Sequence, residues 1–236
     1  MTGGARGIGH AAATLLARHG AKVSIVSRSV QQHPTFFSAR ADVTDEAAVR
    51  HAFDACRKAN GPIAILVNNS GIAESAPLAR TDLAMWERIL ATNLTGTFLC
   101  TREAVSDMTA AGWGRIVNVA SIAGLVGAPY ISAYTASKHG VIGFTRALAA
   151  ELAAKHITVN AVCPGYTETE MMDRTIANIT ARTQKSESEA RDALAQANPE
   201  GRIATAEEVA LGILELIEGT QTGVAMVIPR APSASS

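Results

Sequence analysis

Tyr134 and Lys138 stand four residues apart, which on a helix stacks both side chains on one face with Cβ atoms about 5–6 Å apart. An ammonium held beside a phenol favours the phenolate and lowers a tyrosine pKa from its ordinary value of about 10. Such a pair can trade protons with an alcohol or a carbonyl. Upstream, residues 114–121 end in a hydroxyl, Ser121. The apolar alternation of Ile116, Val117, Val119 and Ala120 is strand-like, whereas Val141, Phe144, Leu148 and Leu152 recur at helical spacing. Ser121 is therefore expected at a strand tip facing the helix of Tyr134 and Lys138. Taken alone, such a pair far more often describes an aromatic packed beside a surface lysine, so the surrounding elements must decide.

The first of these elements is a glycine-rich turn. Thr2, Gly3, Gly7 and Gly9, with Arg6 and Ile8 among them, run straight into the amphipathic pattern of Ile8, Ala12, Leu15 and Leu16. Glycines let backbone N–H groups approach a phosphate, and a helix N-terminus adds positive potential there. A dinucleotide fold places a buried strand ahead of such a turn, yet only Met1 precedes Thr2. Either the central first strand is lost or the sequence starts after it.

Residues 22–28 read as a strand ending in Ser27 and Arg28. An acid at that tip suits a ribose 2′-hydroxyl and an arginine a 2′-phosphate, so Arg28 and Arg6 favour NADP over NAD. Between Arg28 and Asp42 there is too little chain for a full crossover helix, and Pro34 interrupts it further. Thr44, Asp45 and Glu46 open a helix with Val49, Ala52, Phe53 and Cys56 on its core face. The apolar run 63–67 is a strand covered on both faces, and the loop Asn68, Asn69, Ser70, Gly71 follows it. A helix over about 82–111 holds Asn93 in its interior, where an asparagine competes with the backbone for hydrogen bonds. It is either a solvated residue or a polar group aimed at a site.

Residues 157–163 are another apolar strand, broken by Pro164 and Gly165. Residues 166–202 are polar and long for a connection, with a capping box at Ser186 and Glu189, and read as a substrate lid or a surface excursion. A second capping box, Thr205 with Glu208, opens a helix that packs on the sheet, and 222–228 is the last strand. Strands alternating with helices imply a doubly wound parallel sheet with helices on both faces. In such sheets ligands lie beyond the carboxyl ends of the strands, where the glycine turn, residues 68–71, Ser121 and residues 164–169 all converge.

The chain has 236 residues, 47% of them hydrophobic and 18% charged, and a formal net charge of zero. One domain over 1–236, with a frayed tail from 229, fits that length. Charge balance gives no electrostatic case for nucleic acid or an anionic membrane. Cys56, Cys100 and Cys163 are odd in number and unpaired in spacing, as expected of buried thiols in a cytoplasmic protein. No metal is expected.

Together the motifs resemble the single-domain branch of the short-chain dehydrogenase/reductase family, over residues 2–223, and its 3-oxoacyl-thioester reductases in particular. The turn Thr-Gly-x-x-x-Gly-x-Gly falls on Thr2, Gly3, Gly7 and Gly9, the adenine-contacting Asp-Val on Asp42 and Val43, and Asn-Asn-Ala-Gly on Asn68, Asn69, Ser70 and Gly71. Pro-Gly-x-x-x-Thr at the nicotinamide end falls on Pro164, Gly165 and Thr169, with Thr167 in place of an aliphatic residue. The resemblance implies a Rossmann-type fold and a catalytic tetrad of Asn93, Ser121, Tyr134 and Lys138. Tyr134 would give a proton to a carbonyl that Ser121 holds. Lys138 would bind the nicotinamide ribose and depress the Tyr134 pKa, and Asn93 would hold a relay water. It further implies a homodimer or homotetramer built on the helices around Asn93 and Tyr134. The expected substrate is a small carbonyl or alcohol, most specifically a 3-oxoacyl thioester reduced by NADPH. Two alternatives stand beside this: an NAD-linked dehydrogenase of a secondary alcohol or hydroxy acid, and a non-catalytic dinucleotide-binding or scaffold protein.

Overall fold

The computed structural model describes residues 1–29 and 35–229. Pro34 and the tail from Arg230 lie outside the described residues. Helix α1 (Gly7–Arg18) leads to β1 (Ser24–Ser27) and β2 (Phe37–Arg40). Helix α2 (Glu46–Asn60) then crosses to β3 (Ile65–Asn68). After α3 (Leu83–Leu90) and α4 (Gly96–Ala111) come β4 (Gly114–Val119), α5 (Ser132–Leu152) and β5 (Ile157–Pro164), followed by α6 (Glu170–Arg182), α7 (Glu187–Gln196), α8 (Ala206–Glu218) and β6 (Ala225–Ile228).

Among the described residues all strand pairs are parallel. β1 pairs with β2, and β3, β4, β5 and β6 form a four-stranded sheet in that order. Met1, Thr2 and Gly3 sit between the two groups as a strand tip. The Val26 N–H donates to the Met1 carbonyl (2.9 Å), the Gly3 N–H to Val26 (2.8 Å) and the Thr2 N–H to Val67 (3.0 Å). Residues 1–3 thus occupy the place of the carboxyl end of the expected first strand. Behind it, β1 and β3 border a groove of about 60 Å³ lined by Met1, Leu16, Val23, Ile65 and Val67.

Helices cover both faces because β4 and β5 are buried at every position, which leaves apolar side chains on each side to be covered. On one face α2, α4 and α5 pack Val49, Phe53, Leu99, Met108 and Leu152 against Leu66, Ile116 and Val159. On the other, α1 and α8 pack Ala12, Leu16, Val209, Ile213 and Leu216 against Val67, Val117, Val119 and Val162. Strand order reverses at the Met1–Gly3 tip, and a ligand crevice belongs at such a reversal.

Two local features depart from expectation. The helix over 82–111 is interrupted: Asp82 caps α3 by accepting the Met85 N–H (2.8 Å), and Ala91–Thr95 form a π-helical turn before α4. That wide turn holds Asn93, and such bulges often mark functional sites. At α2 the cap is Asp45, which accepts the Ala48 N–H (3.0 Å), while the Thr44 hydroxyl donates to Asp42 (2.8 Å). Between β5 and α8 the chain makes an excursion with its own small core of Met172, Ile176, Ala190 and Leu194, and the Ser186–Glu189 capping box opens α7 as anticipated.

Candidate active site

The carboxyl ends of the strands carry the site. Ser121 follows β4 and is buried, its hydroxyl accepting the Ala123 N–H (3.1 Å) and hydrogen-bonding the Tyr134 phenol. Tyr134, Ser137, Lys138 and Val141 form one stripe of α5, and the last three are buried. Lys138 Nζ donates to the Val119 carbonyl (2.8 Å) and lies 5.7 Å from the centre of the Tyr134 ring. Gly71 approaches the same point closely. A Cβ there would lie 3.3 Å from Asn93 Oδ1 and 3.6 Å from Lys138 Nζ.

Asn93 is aimed inward by the π turn. Its Nδ2 donates to the Ile72 carbonyl and to Ser137 Oγ (3.0 Å each), and its Oδ1 accepts the Ile72 N–H (2.8 Å). Ser137 in turn donates to the Tyr134 carbonyl (2.7 Å). The four residues of the expected tetrad are thereby brought together. Below them a buried polar ladder fixes the elements: Asn68 Nδ2 donates to Thr101 and Asn118, and Asn118 to Thr145 (2.9 Å each).

Burial sets the proton affinities. Tyr134 is partly exposed as a residue, but its hydroxyl is desolvated, and this pushes its pKa above the usual tyrosine value against the opposing Ser121 hydrogen bond. Burial also lowers the Lys138 pKa to about 8. The expected depression of the phenol by Lys138 is therefore not found: the ammonium is spent on a backbone carbonyl, and desolvation dominates. Near neutral pH the arrangement offers a protonated phenol, a hydroxyl sharing its hydrogen bond, and a cation. That set can hold a carbonyl oxygen and protonate it.

The glycine turn faces this group. Thr2 Oγ1 accepts the N–H groups of Asn69 (3.0 Å) and Ser70 (3.1 Å), while Asn69 Nδ2 donates to the carbonyls of Thr2 (3.2 Å) and Gly3 (3.0 Å). A Cβ on Gly9 would lie 2.4 Å from the Gly3 oxygen. Helix α1, which carries Ile8, has no side-chain cap at Arg6, and α6 has none at Thr169, although Asp45, Asp82, Ser186 and Thr205 cap α2, α3, α7 and α8. The N-termini of α1 and α6 meet. Arg6 binds Glu170 at 2.6 Å, and a Cβ on Gly7 would lie 3.2 Å from Thr169 Cγ2. Uncapped N–H groups beside a glycine turn suit a diphosphate, so the residues present fit a dinucleotide.

The remaining expected contacts are dispersed. Arg28 lies 3.8 Å from Asp42, whose carboxylate also takes the Thr44 N–H (3.0 Å). Val43 turns into the core: a Cβ on Gly96 would be 2.7 Å from its Cγ2. Pro164 ends β5, and the buried Thr167 donates to the Gly165 carbonyl (3.1 Å). Two residues at the site fall outside the expected set. Ser137 was signalled by its helical stripe with Tyr134 and Lys138, whereas Asn198, which binds the Tyr166 backbone, carries no signal in spacing.

The family profile for short chain dehydrogenase matches residues 1–180. The chain belongs to the short-chain dehydrogenase/reductase family. Within that family it is 42% identical to cis-4-hydroxycyclohexanecarboxylate dehydrogenase of Sinomonas cyclohexanicum over 225 residues, 90% of this chain and 86% of the relative. It is 39% identical to the 3-oxoacyl-[acyl-carrier-protein] reductase MabA of Mycobacterium tuberculosis over 171 residues, 72% of this chain and 69% of that one. Among solved structures, a single-substitution variant of actinorhodin polyketide ketoreductase with NADPH superimposes with a TM-score of 0.91 at 34% identity, covering 96% of this chain and 93% of the other. Members of this dehydrogenase/reductase family act on alcohols and ketones with a nicotinamide dinucleotide.

Proposed function

We propose that the protein is an NADP(H)-dependent reductase of ketones, with 3-oxoacyl thioesters as the leading substrate class. The observation that carries this reading is the Tyr134 phenol, kept protonated by burial and hydrogen-bonded to Ser121. When bound, the nicotinamide supplies the hydride. Ser121 and Tyr134 hold the substrate oxygen, and Tyr134 delivers its proton as negative charge develops there. Lys138, protonated below about pH 8, would hold the ribose and could return a proton to the phenol, and Asn93 would hold a relay water. Thr2, Gly3, Gly7 and Gly9 with Ile8 cradle the diphosphate. Asp42 and the backbone of Val43 would border the adenine, Asn69, Ser70 and Gly71 the ribose, and Pro164, Gly165, Thr167 and Thr169 the nicotinamide.

NADP preference is supported by the tip of β1, which ends in Ser27 and the exposed Arg28 instead of an acid, and by Arg6 on the turn. Residues 166–202 act as the substrate lid, closed on the glycine turn by Arg6 and Glu170. The exposed Leu125, Val126 and Met171 on loops and lid around the site favour an apolar acyl chain. Self-association through α4 and α5 is supported by a groove of about 270 Å³ lined by Phe98, Val105, Phe144 and Leu148.

Comparing kcat/KM for NADPH and NADH with acetoacetyl-CoA as oxidant tests the reading. A clear preference for NADPH is expected, and a preference for NADH would overturn the cofactor assignment. The likeness to a hydroxycyclohexanecarboxylate dehydrogenase favours a second reading, oxidation of a hydroxy acid with NAD. Faster turnover of a cyclic hydroxy acid with NAD than of the thioester with NADPH would establish it. Binding of NADPH without turnover of either substrate would leave the scaffold alternative.

A further inference from the structure

The excursion between β5 and α8 is tied to the sheet by one buried carboxamide. Asn198 is 4% exposed. Its Oδ1 accepts the Tyr166 N–H at 2.6 Å, and its Nδ2 donates to the carbonyls of Tyr166 (2.8 Å) and Arg202 (2.6 Å). The side chain thus pairs with Tyr166 as a neighbouring strand residue would. Beyond it, true backbone pairing takes over: the Ala204 N–H donates to Tyr166 (3.0 Å) and the Glu168 N–H to Ala204 (2.9 Å). The chain from 198 to 201 cannot supply that pairing itself, because Pro199 lacks an N–H and Gly201 turns back at φ 65°.

Asn198 also shapes the turn it binds. A Cβ on Gly165 would lie 2.2 Å from Asn198 Oδ1 and 2.7 Å from its Cγ, so the carboxamide occupies the space that a side chain at position 165 would fill. On its other side the Asn198 N–H donates to the Ala195 carbonyl (3.0 Å), at the end of α7. Tyr166 packs on the excursion's core of Met172, Ile176 and Leu194, and after burial, the main cause, its phenol adds to the raised pKa of Tyr134. One residue therefore connects α7, the Pro164–Gly165 turn and the neighbourhood of the proton donor.

We propose that Asn198 is a positioning residue for the nicotinamide end of the cleft, acting through the backbone of Gly165 and Tyr166 and holding the lid in register with that turn. This rests on the cofactor placement proposed above. Asn198→Leu keeps the side chain's size but leaves the Tyr166 N–H and the Arg202 carbonyl unpaired in the interior. It is expected to raise the NADPH Kd, read by nicotinamide fluorescence, roughly tenfold, as loss of such hydrogen bonds does. Asn198→Asp supplies a second reading. As a carboxylate it repels the Tyr166 carbonyl; once protonated it can again accept from the N–H and donate to the carbonyl. Its NADPH binding should strengthen as pH falls below neutrality, where Lys138 is already protonated and the wild type should change less. A wild-type Kd in the Leu variant, or no recovery of the Asp variant on acidification, overturns the proposal while leaving the proposed function intact. Failure of the unaltered protein to bind either NADPH or NADH overturns both.

Discussion

Asn93 and Ile72 exchange two hydrogen bonds, the side-chain amide of one closing on both backbone groups of the other at 3.0 and 2.8 Å. The loop after β3 is thereby tied to the π turn, and the tie fixes how far Gly71 stands from Lys138. Asn93→Ala should cost roughly 1–3 kcal/mol for the backbone groups left unpaired. Because Ser137, beside Tyr134 and Lys138 on α5, also loses the Asn93 donor and keeps only the Tyr134 carbonyl, kcat should fall more than cofactor affinity. Urea unfolding alongside steady-state kinetics would separate the two effects; equal losses would mean that Asn93 acts only as a structural tie.

Lys138 gives a pH signature of known sign. Its folded pKa of about 8 lies below the ordinary lysine value of 10.5, so between those values the unfolded chain binds more protons. Stability should therefore rise with pH across that window, the cost of the buried charge being fully present below about 8. Unfolding free energies measured from pH 7 to 10 should show this rise in the wild type but not in Lys138→Met. Carbonyl reduction should hold steady near neutrality and decline above about pH 8, while alcohol oxidation, which needs the phenolate, should gain.

Arg6 and Glu170 join the glycine turn to α6, yet both side chains are more than half exposed. Exposed pairs contribute about 0–1 kcal/mol, so Glu170→Gln should barely change the melting temperature. Its expected effect is kinetic: faster release of cofactor in stopped-flow displacement. Arg6→Ala should weaken NADPH by roughly tenfold or more, the loss of a charge-assisted bond, and NADH much less. Equal weakening of both would assign Arg6 to the diphosphate instead of the 2′-phosphate.

Two glycines predict opposite outcomes. Gly9→Ala places a methyl 2.4 Å from the Gly3 oxygen and 2.5 Å from Asn69 Nδ2, and should cost about 1–3 kcal/mol by overpacking together with cofactor binding. Gly143 lies within α5 with nothing inside 4 Å of a Cβ. Gly143→Ala should stabilise the protein by about 0.5–1 kcal/mol through helix propensity. Thermal melts with and without NADPH read both variants.

The alternation of strands and helices was legible because β4 and β5 are apolar over most of their length and the helices keep three- and four-residue spacing. The caps at Ser186 and Thr205 were legible because a capping box is a local pattern. Asn93 was visible only as an anomaly: its π turn depends on a partner, Ile72, that lies far along the chain. The proton affinity of Tyr134 runs opposite to the expectation from spacing, which shows that Lys138 is near but not that its ammonium donates to the Val119 carbonyl or that the phenol is desolvated. Asn198 was invisible for the same reason, because its partners at Tyr166 and Arg202 are set by how the excursion folds back.

The tip formed by Met1, Thr2 and Gly3 has a thermodynamic meaning. Among the described residues, only these three join β1 and β2 to the four-stranded sheet along the hydrogen-bonding direction, while Arg28 and Asp42 lie on one side of that seam and Gly71 and Gly165 on the other. A dinucleotide reaching both sides would clamp the two halves together, and ligand that binds only the assembled form stabilises it by mass action. Bound cofactor would then add to the stability of the folded protein across that seam as well as load it.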